Sequence, residues 1–291
     1  MIRVVMLGRT GNNLFQYALG RVLSERHGVP LVLDGSWFNP EGWSSACCVR
    51  RLPLRARVVR RLSLASRLLR KVSRKHHWEF LGQPVLKEGV TDHRFERRFL
   101  EAPPSCVLMG YFQSPLYFES VEESLRSELR MDDLPWSAAT RKMEQRMVEG
   151  NSVAVHVRRD DYVRNPNLHV CTIDYYERAM EKLRGRHTGL RFHLFSDDPA
   201  WCRENFSASD CEVCDLPEAA GNPLHDLFLM SRARHHIIAN SSYSWWAAWL
   251  GKRMGQQVIM PSVWIRGIVA PIEEKALPGW EIVNTSAHGD E

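Results

Sequence analysis

"VAVHVRRDDYV", Val153 to Val163, decides how this chain is read. Its first five residues are valine-rich and apolar apart from one histidine, as suits a strand running through a core. The strand then meets two arginines and two aspartates in succession. Surface charge ordinarily comes singly or in helical pairs, so opposed charges crowded at the carboxyl end of a buried strand call for another cause. In open parallel sheets that end is where ligands bind.

Working outward, the pattern around this stretch is regular. Downstream, strands expected over Ser152–Val157, Arg191–Phe195, His236–Ala239 and Gln257–Met260 alternate with helices over Asp174–Arg184, Pro199–Asn205, His225–Arg234 and Tyr243–Gly251. Upstream, a strand over Arg3–Leu7 leads through a glycine-bearing turn, Gly8–Asn13, into a helix from about Leu14 to Arg26. Gly28 stops that helix, and a strand over Pro30–Asp34 follows. A strand over Cys106–Met109 and helices over Pro115–Arg130 and Ser137–Glu149 complete the reading. Alternation of this kind implies α/β architecture with parallel sheets. Met131–Trp136, two acids and a proline between helices, reads as a link, giving domains 1–135 and 136–291.

Composition narrows the classes. A chain of 291 residues with 44% hydrophobic content builds one large or two compact cores. No apolar run reaches the length of a membrane span, and the opening residues are too short a run for a secretory signal, so a cytoplasmic location is expected. Seven cysteines, an odd number, argue for reduced thiols rather than a disulfide framework. Cys211 and Cys214 form a CxxC that Cys202 and His225 could extend into a zinc set. No second pair stands at finger spacing, so buried or loop thiols are the expectation.

The net charge of +5 is concentrated. Residues 50–75 hold eleven Lys/Arg and no acid, with Val58, Leu62, Ala65, Leu69 and Val72 at helical spacing. Such a helix suits either a solvated face against the core or peripheral contact with an anionic surface, membrane phospholipid or a lipid-linked pyrophosphate. Nucleic acid is not expected, because the patch has no aromatic interleaving.

Three strand ends would gather polar groups at one edge: His156, Arg158, Arg159, Asp160 and Asp161; Ser196, Asp197 and Asp198; Asn240, Ser241 and Ser242. Ser241 and Ser242 precede a helix whose free N–H groups suit a phosphate, and the arginines supply planar donors to its oxygens. Asp197 or Asp198 could accept from a ribose hydroxyl or a guanine N–H. Singly each has a structural reading: Asp198 before Pro199 as a helix cap, the Arg–Asp pairs as ion pairs, His156 as a satisfied core histidine. Jointly they point to a nucleotide diphosphate. The loop at Gly8 lacks both the third glycine of a dinucleotide fingerprint and a Walker lysine. Its neighbours Asn12, Asn13 and Gln16 could grip hydroxyl-rich groups. The sequence has no Asp-x-Asp triplet to carry a divalent ion, so neutralisation by arginine and helix N–H groups, with no metal and no cofactor, is expected.

"GRTGNNLFQYALGRVL" (Gly8–Leu23), "HVRRDDYV" (His156–Val163), "CTIDYYERAM" (Cys171–Met180), "FSDDPAW" (Phe195–Trp201) and "LMSRARHHIIANSSYSWWAAWLG" (Leu229–Gly251) together closely resemble the α-1,2-fucosyltransferases of glycosyltransferase family 11. The resemblance implies a GT-B-like fold, two Rossmann-like domains facing a cleft, the first on the acceptor side and the second binding the donor. It also implies inverting, metal-independent transfer of L-fucose from GDP-fucose to the 2-hydroxyl of a terminal galactose. Carried over by position, Arg158 holds the diphosphate and Asp161 serves as base or orienter. His156, Arg159, Asp197, Asn240, Ser241 and Ser242 line the donor, while Gly11, Asn12 and Gln16 lie on the acceptor side. The acceptor would be a galactose-terminated oligosaccharide, free or lipid-linked. Rival readings are a GDP-sugar transferase forming another linkage, a non-catalytic glycan or nucleotide binder, and an arginine-rich nucleic-acid binder.

Overall fold

The computed structural model describes residues 1–36, 48–59, 82–89, 94–268 and 270–285. The chain divides into two compact units, Met1–Arg130 and Met131–Glu291, the division falling after Arg130 rather than after residue 135.

The first unit runs β1 (Ile2–Val5), α1 (Thr10–His27), β2 (Leu31–Asp34), β3 (Arg57–Val59), β4 (Val85–Lys87), β5 (Cys106–Met109) and α2 (Glu122–Glu128). Its five described strands lie in the order β3-β2-β1-β5-β4, every described pairing parallel. Ile2, Val4 and Val5 of β1 are completely buried, as the centre of a sheet covered on both faces requires. Helix α1 begins at Thr10 rather than near Leu14, because Thr10–Asn13 is itself the first helical turn, with the Asn13 N–H bonded to the Arg9 carbonyl at 3.0 Å. Gly28 closes the helix in the left-handed conformation at φ 62°, where a side chain would be strained.

Two expectations fail in this unit. The helix expected over 115–130 is two 3₁₀ turns, Pro115–Tyr117 and Glu119–Val121, followed by α2. Adjacent Tyr117 and Phe118 are both buried in different company, Tyr117 among Phe95, Phe99 and Phe112 and Phe118 against Phe15, and the backbone leaves helical geometry at Phe118 to serve both. The basic helix is also not continuous over 50–75: Cys48–Arg51 is a 3₁₀ turn and residues 57–59 pair with β2 as a strand, so Val58 belongs to a ladder rather than a helical stripe. Residues 60–75 of that expectation, and Cys47, lie outside the described residues.

The second unit runs α3 (Ala138–Glu149), β6 (Asn151–Val157), α4 (Asp160–Val163), α5 (Ile173–Arg184), β7 (Leu190–Ser196), α6 (Pro199–Asn205), β8 (Cys211–Val213), α7 (Pro223–Arg232), β9 (His235–Ile237), α8 (Ser242–Leu250), β10 (Val258–Pro261) and β11 (Glu281–Val283). Its strand order, β11-β10-β9-β6-β7-β8, is again parallel throughout the described pairings. The chain starts at the centre with β6, builds outward to β8, then returns to β9 on the other side of β6 and builds outward again. That is the doubly wound order of a dinucleotide-binding unit. Helix α5 turns Tyr175, Tyr176, Ala179, Met180 and Leu183 onto the sheet, a stripe at helical spacing. Helix α8 buries Trp245, Trp246 and Trp249 and packs in the interior. Among the described residues, no helix is long and apolar enough to cross a membrane.

Candidate active site

In the second unit the connections from β6 and β9 leave in opposite directions, so the chain parts at their carboxyl ends and opens a crevice there. The residues that follow these strands are Arg158–Asp161 after β6 and Asn240–Ser242 after β9. Neighbouring β7 brings Ser196, Asp197 and Asp198 to the same edge.

Arg158 is the centre of this edge. One end of its guanidinium pairs with Asp197 Oδ2 and the other with Asp161 Oδ1, while Asp160 Oδ2 lies 3.7 Å from Nη2. The group also stands 5.2 Å from the centre of the Tyr162 ring. Asp197 is fully engaged: its Oδ1 accepts from the backbone N–H groups of Arg159 at 2.8 Å and Asp160 at 3.3 Å. It therefore fixes the turn between β6 and α4 as well as holding Arg158. The Arg159 side chain turns away from Arg158, donating from Nε to Asp198 at 3.0 Å and lying 3.9 Å over the Trp201 ring. Asp198 caps α6 by accepting the Trp201 N–H at 3.1 Å, and that bond, with Arg159 second, holds its carboxyl below the usual carboxylate range.

His156 is not a satisfied core histidine. Its side chain is buried, and among the described residues Nδ1 has no hydrogen-bond partner. Burial, with the Arg158 charge second, pushes its pKa down to about 3, so the ring is neutral at physiological pH. The ring lies 5.6 Å from that of Tyr243, in the first turn of α8. The ring thus serves this edge as a buried neutral group packed beside the first turn of α8.

Ser241 caps α8, its Oγ accepting from the Tyr243 N–H at 3.4 Å. The remaining first-turn N–H groups of α8 point from the β9 end of the crevice, and Ser242 is its first residue. Asn240 corrects the expectation made for it. Its amide donates to the Leu168 and Trp264 carbonyls at 2.9 and 2.8 Å, its Oδ1 accepts from the Cys171 thiol, and its carbonyl accepts from Tyr162 Oη at 3.2 Å. It is a buried staple for the loops around the crevice.

The first unit treats its polar residues in the same internal way. Gln16 is completely buried; its Oε1 accepts from the Leu7 N–H at 3.1 Å and its Nε2 donates to the Gly110 carbonyl at 2.8 Å. Asn13 is buried beside it, donating to the Leu7 carbonyl at 3.0 Å. Gln16 therefore joins the ends of β1 and β5 and does not line a ligand surface. Gly11 is buried in α1, whereas Asn12 is half-buried and accepts from Gln113 Nε2 at 2.7 Å. Gly8 has φ 70°, and a Cβ there would fall 2.2 Å from Asn12 Nδ2, so only glycine fits.

The CxxC does not form a metal set. Cys202 and Cys214 are buried free thiols, and both ring nitrogens of His225 are engaged, by Asp226 at 2.9 Å and Thr140 at 3.0 Å. Among the described residues no group of three His, Cys, Asp or Glu side chains is placed to hold a metal ion.

Two α/β units whose described strand pairings are all parallel, one with an arginine and a helix N-terminus at its switch point, are the class of protein that fold and site define. The chain belongs to glycosyl transferase family 11, whose family model matches residues 64–284. It is 38% identical over 269 residues to an α-1,2-colitosyltransferase of Escherichia coli, covering 89% of this chain and 90% of that protein. It is 27% identical over 254 residues to the galactoside α-(1,2)-fucosyltransferase 2 of Sus scrofa, covering 84% of this chain and 68% of that protein. Among solved structures, the α-1,6-fucosyltransferase NodZ soaked with GDP-fucose superposes with a TM-score of 0.51 at 17% identity, over 85% of this chain and 92% of that one. The chain is thus a glycosyltransferase with a GT-B-like α/β fold of two Rossmann-like units.

Proposed function

We propose that this chain transfers L-fucose from GDP-fucose to the 2-hydroxyl of a terminal β-galactose on an oligosaccharide, inverting the anomeric carbon without a metal ion. The observation that carries the reading is Arg158, held at the carboxyl end of the central strand opposite the N-terminus of α8, in a chain of family 11. In a single displacement the acceptor's hydroxyl oxygen bonds to the anomeric carbon as the bond to GDP breaks, the electron pair passes to the departing phosphate oxygen, and the hydroxyl proton is given up to water. Negative charge grows on that oxygen, where a fixed guanidinium and backbone N–H groups stabilise it more in the transition state than in the ground state. Asp161 Oδ1 is engaged by Arg158, which favours orienting the guanidinium over removing the acceptor proton.

A second reading rests on one observation, the 38% identity to a colitosyltransferase over nearly the whole of both chains. Colitose is L-fucose without its 3-hydroxyl, so one diphosphate site would serve either donor. The test is turnover of the purified chain with GDP-fucose or GDP-colitose and lactose, in EDTA, with linkage analysis of the product. An α-1,2-fucosylated product supports the first reading, and transfer from GDP-colitose alone selects the second. Saturable GDP binding without turnover from either donor indicates a non-catalytic binder.

A further inference from the structure

The edge proposed to receive a dianionic diphosphate carries more negative than positive charge. Arg158 and Arg159 supply two positive charges; Asp160, Asp161, Asp197 and Asp198 supply four negative ones, so the cluster sums to 2 − 4 = −2. Any phosphate that approaches Arg158 competes with carboxylates already there, and these are not equivalent. Asp197 is pinned by two backbone N–H groups and holds the β6–α4 turn. Asp161 accepts a directed hydrogen bond from Nη2. Asp160, at 3.7 Å from the same nitrogen, lies beyond hydrogen-bonding distance and gives Arg158 charge without direction, with a side chain 48% exposed.

Coulomb repulsion falls only as the inverse of distance, whereas hydrogen-bond orientation is lost within a few tenths of an ångström. Asp160 therefore aims the guanidinium less than Asp161 does, while its charge, part-screened at a half-exposed position, still opposes what the guanidinium binds. We propose that Asp160 is a positioning residue of the opposing kind: through Arg158 it loosens the grip on the diphosphate and so sets how fast the spent nucleotide leaves. The inference rests on the reading of Arg158 as the diphosphate's partner. Donor and product share the diphosphate, so Asp160 opposes both, and it opposes the product more because the released GDP carries the charge gained on transfer. Asp160 raises KM, and it raises kcat where product release limits turnover.

The test is titration calorimetry of Asp160→Asn, Asp160→Glu, Asp161→Asn and Arg158→Ala with guanosine, GMP and GDP at low and high salt. Asp160→Asn binds GDP roughly three- to tenfold more tightly than the parent, the gain diminishing from GDP to GMP, vanishing with guanosine and shrinking as salt is raised. Asp160→Glu restores parental affinity and Asp161→Asn weakens GDP binding. In turnover, Asp160→Asn lowers KM, and it lowers kcat where product release limits the rate. A structural role for Asp160 would move guanosine and GDP together, and that result overturns the inference, as does weaker GDP binding in Asp160→Asn. If Arg158→Ala abolishes GDP binding while Asp160→Asn brings no gain, this inference alone falls. If Arg158→Ala leaves GDP binding intact, it falls together with the reading beneath it.

Discussion

The two units place polar side chains at the same topological position, beyond the carboxyl ends of their central strands, and use them oppositely. After β1, Gln16 and Asn13 are completely buried and bonded to the Leu7 and Gly110 backbone. After β6, charge faces charge at a partly open edge, and His156 keeps a ring nitrogen without a partner among the described residues. The first arrangement spends its amide donors on loop backbone and so rigidifies a loop, although Asn13 Oδ1 is itself buried without a partner among the described residues. The second leaves interactions that a ligand can exchange, as binding demands.

Arg158→Ala breaks the comparison hardest. Turnover should fall by about two orders of magnitude or more, with the circular dichroism spectrum unchanged, because a preorganised donor to the leaving group is lost and the residue lies at the edge rather than in the core. In the other unit, Gln16→Ala should leave the Leu7 and Gly110 backbone groups buried and unpaired. The expected cost is about 2–3 kcal/mol, read as a lower urea midpoint. Gly8→Ala should cost about 1–3 kcal/mol by the same measurement, since it combines positive φ with a clash against Asn12.

Acid sharpens the contrast. His156 and His236 have pKa values pushed down to about 3, and His193 and His235 to about 4, in each case chiefly by burial. Unfolded histidine takes up its proton near 6.5, so between that pH and about 4 the unfolded chain binds more protons than the folded one and stability declines as pH falls. Above 6.5 these residues are neutral in both states and add no pH dependence. A midpoint temperature independent of pH from 6.5 to 4.5 would contradict their burial as neutral rings. The smallest effect expected is that of EDTA, which should leave the rate unchanged if arginine and helix N–H groups neutralise the leaving group.

Much of the second unit was legible because its signals are local. Valine-rich β6, the amphipathic stripe of α5, and Asp198-Pro199 at the start of α6 are each written in a few adjacent residues. Strands β8 and β11 were not, since three residues containing a glutamate carry no period and pair only because a neighbouring strand offers its edge. The short helix α4 was hidden inside the charge run that marked the site. Residue types at the site could be read, but their division of labour could not. Asn240 and Asp197 carry ligand-binding groups, yet both are engaged by loop backbone brought close only by the fold. The sequence also holds no mark that separates Asp160 from Asp161, a difference made by the first turn of α4.

The stacking of Arg159 on Trp201 has an optical consequence. The Arg159 amide is anchored to Asp197, which also holds Arg158, so a phosphate that displaces Asp197 pulls on a cation lying 3.9 Å above an indole. Indole emission responds to so close a charge. With ten tryptophans in the chain, the difference spectrum between the parent and Trp201→Phe isolates that single fluorophore. It would report nucleotide arrival in real time with no label attached.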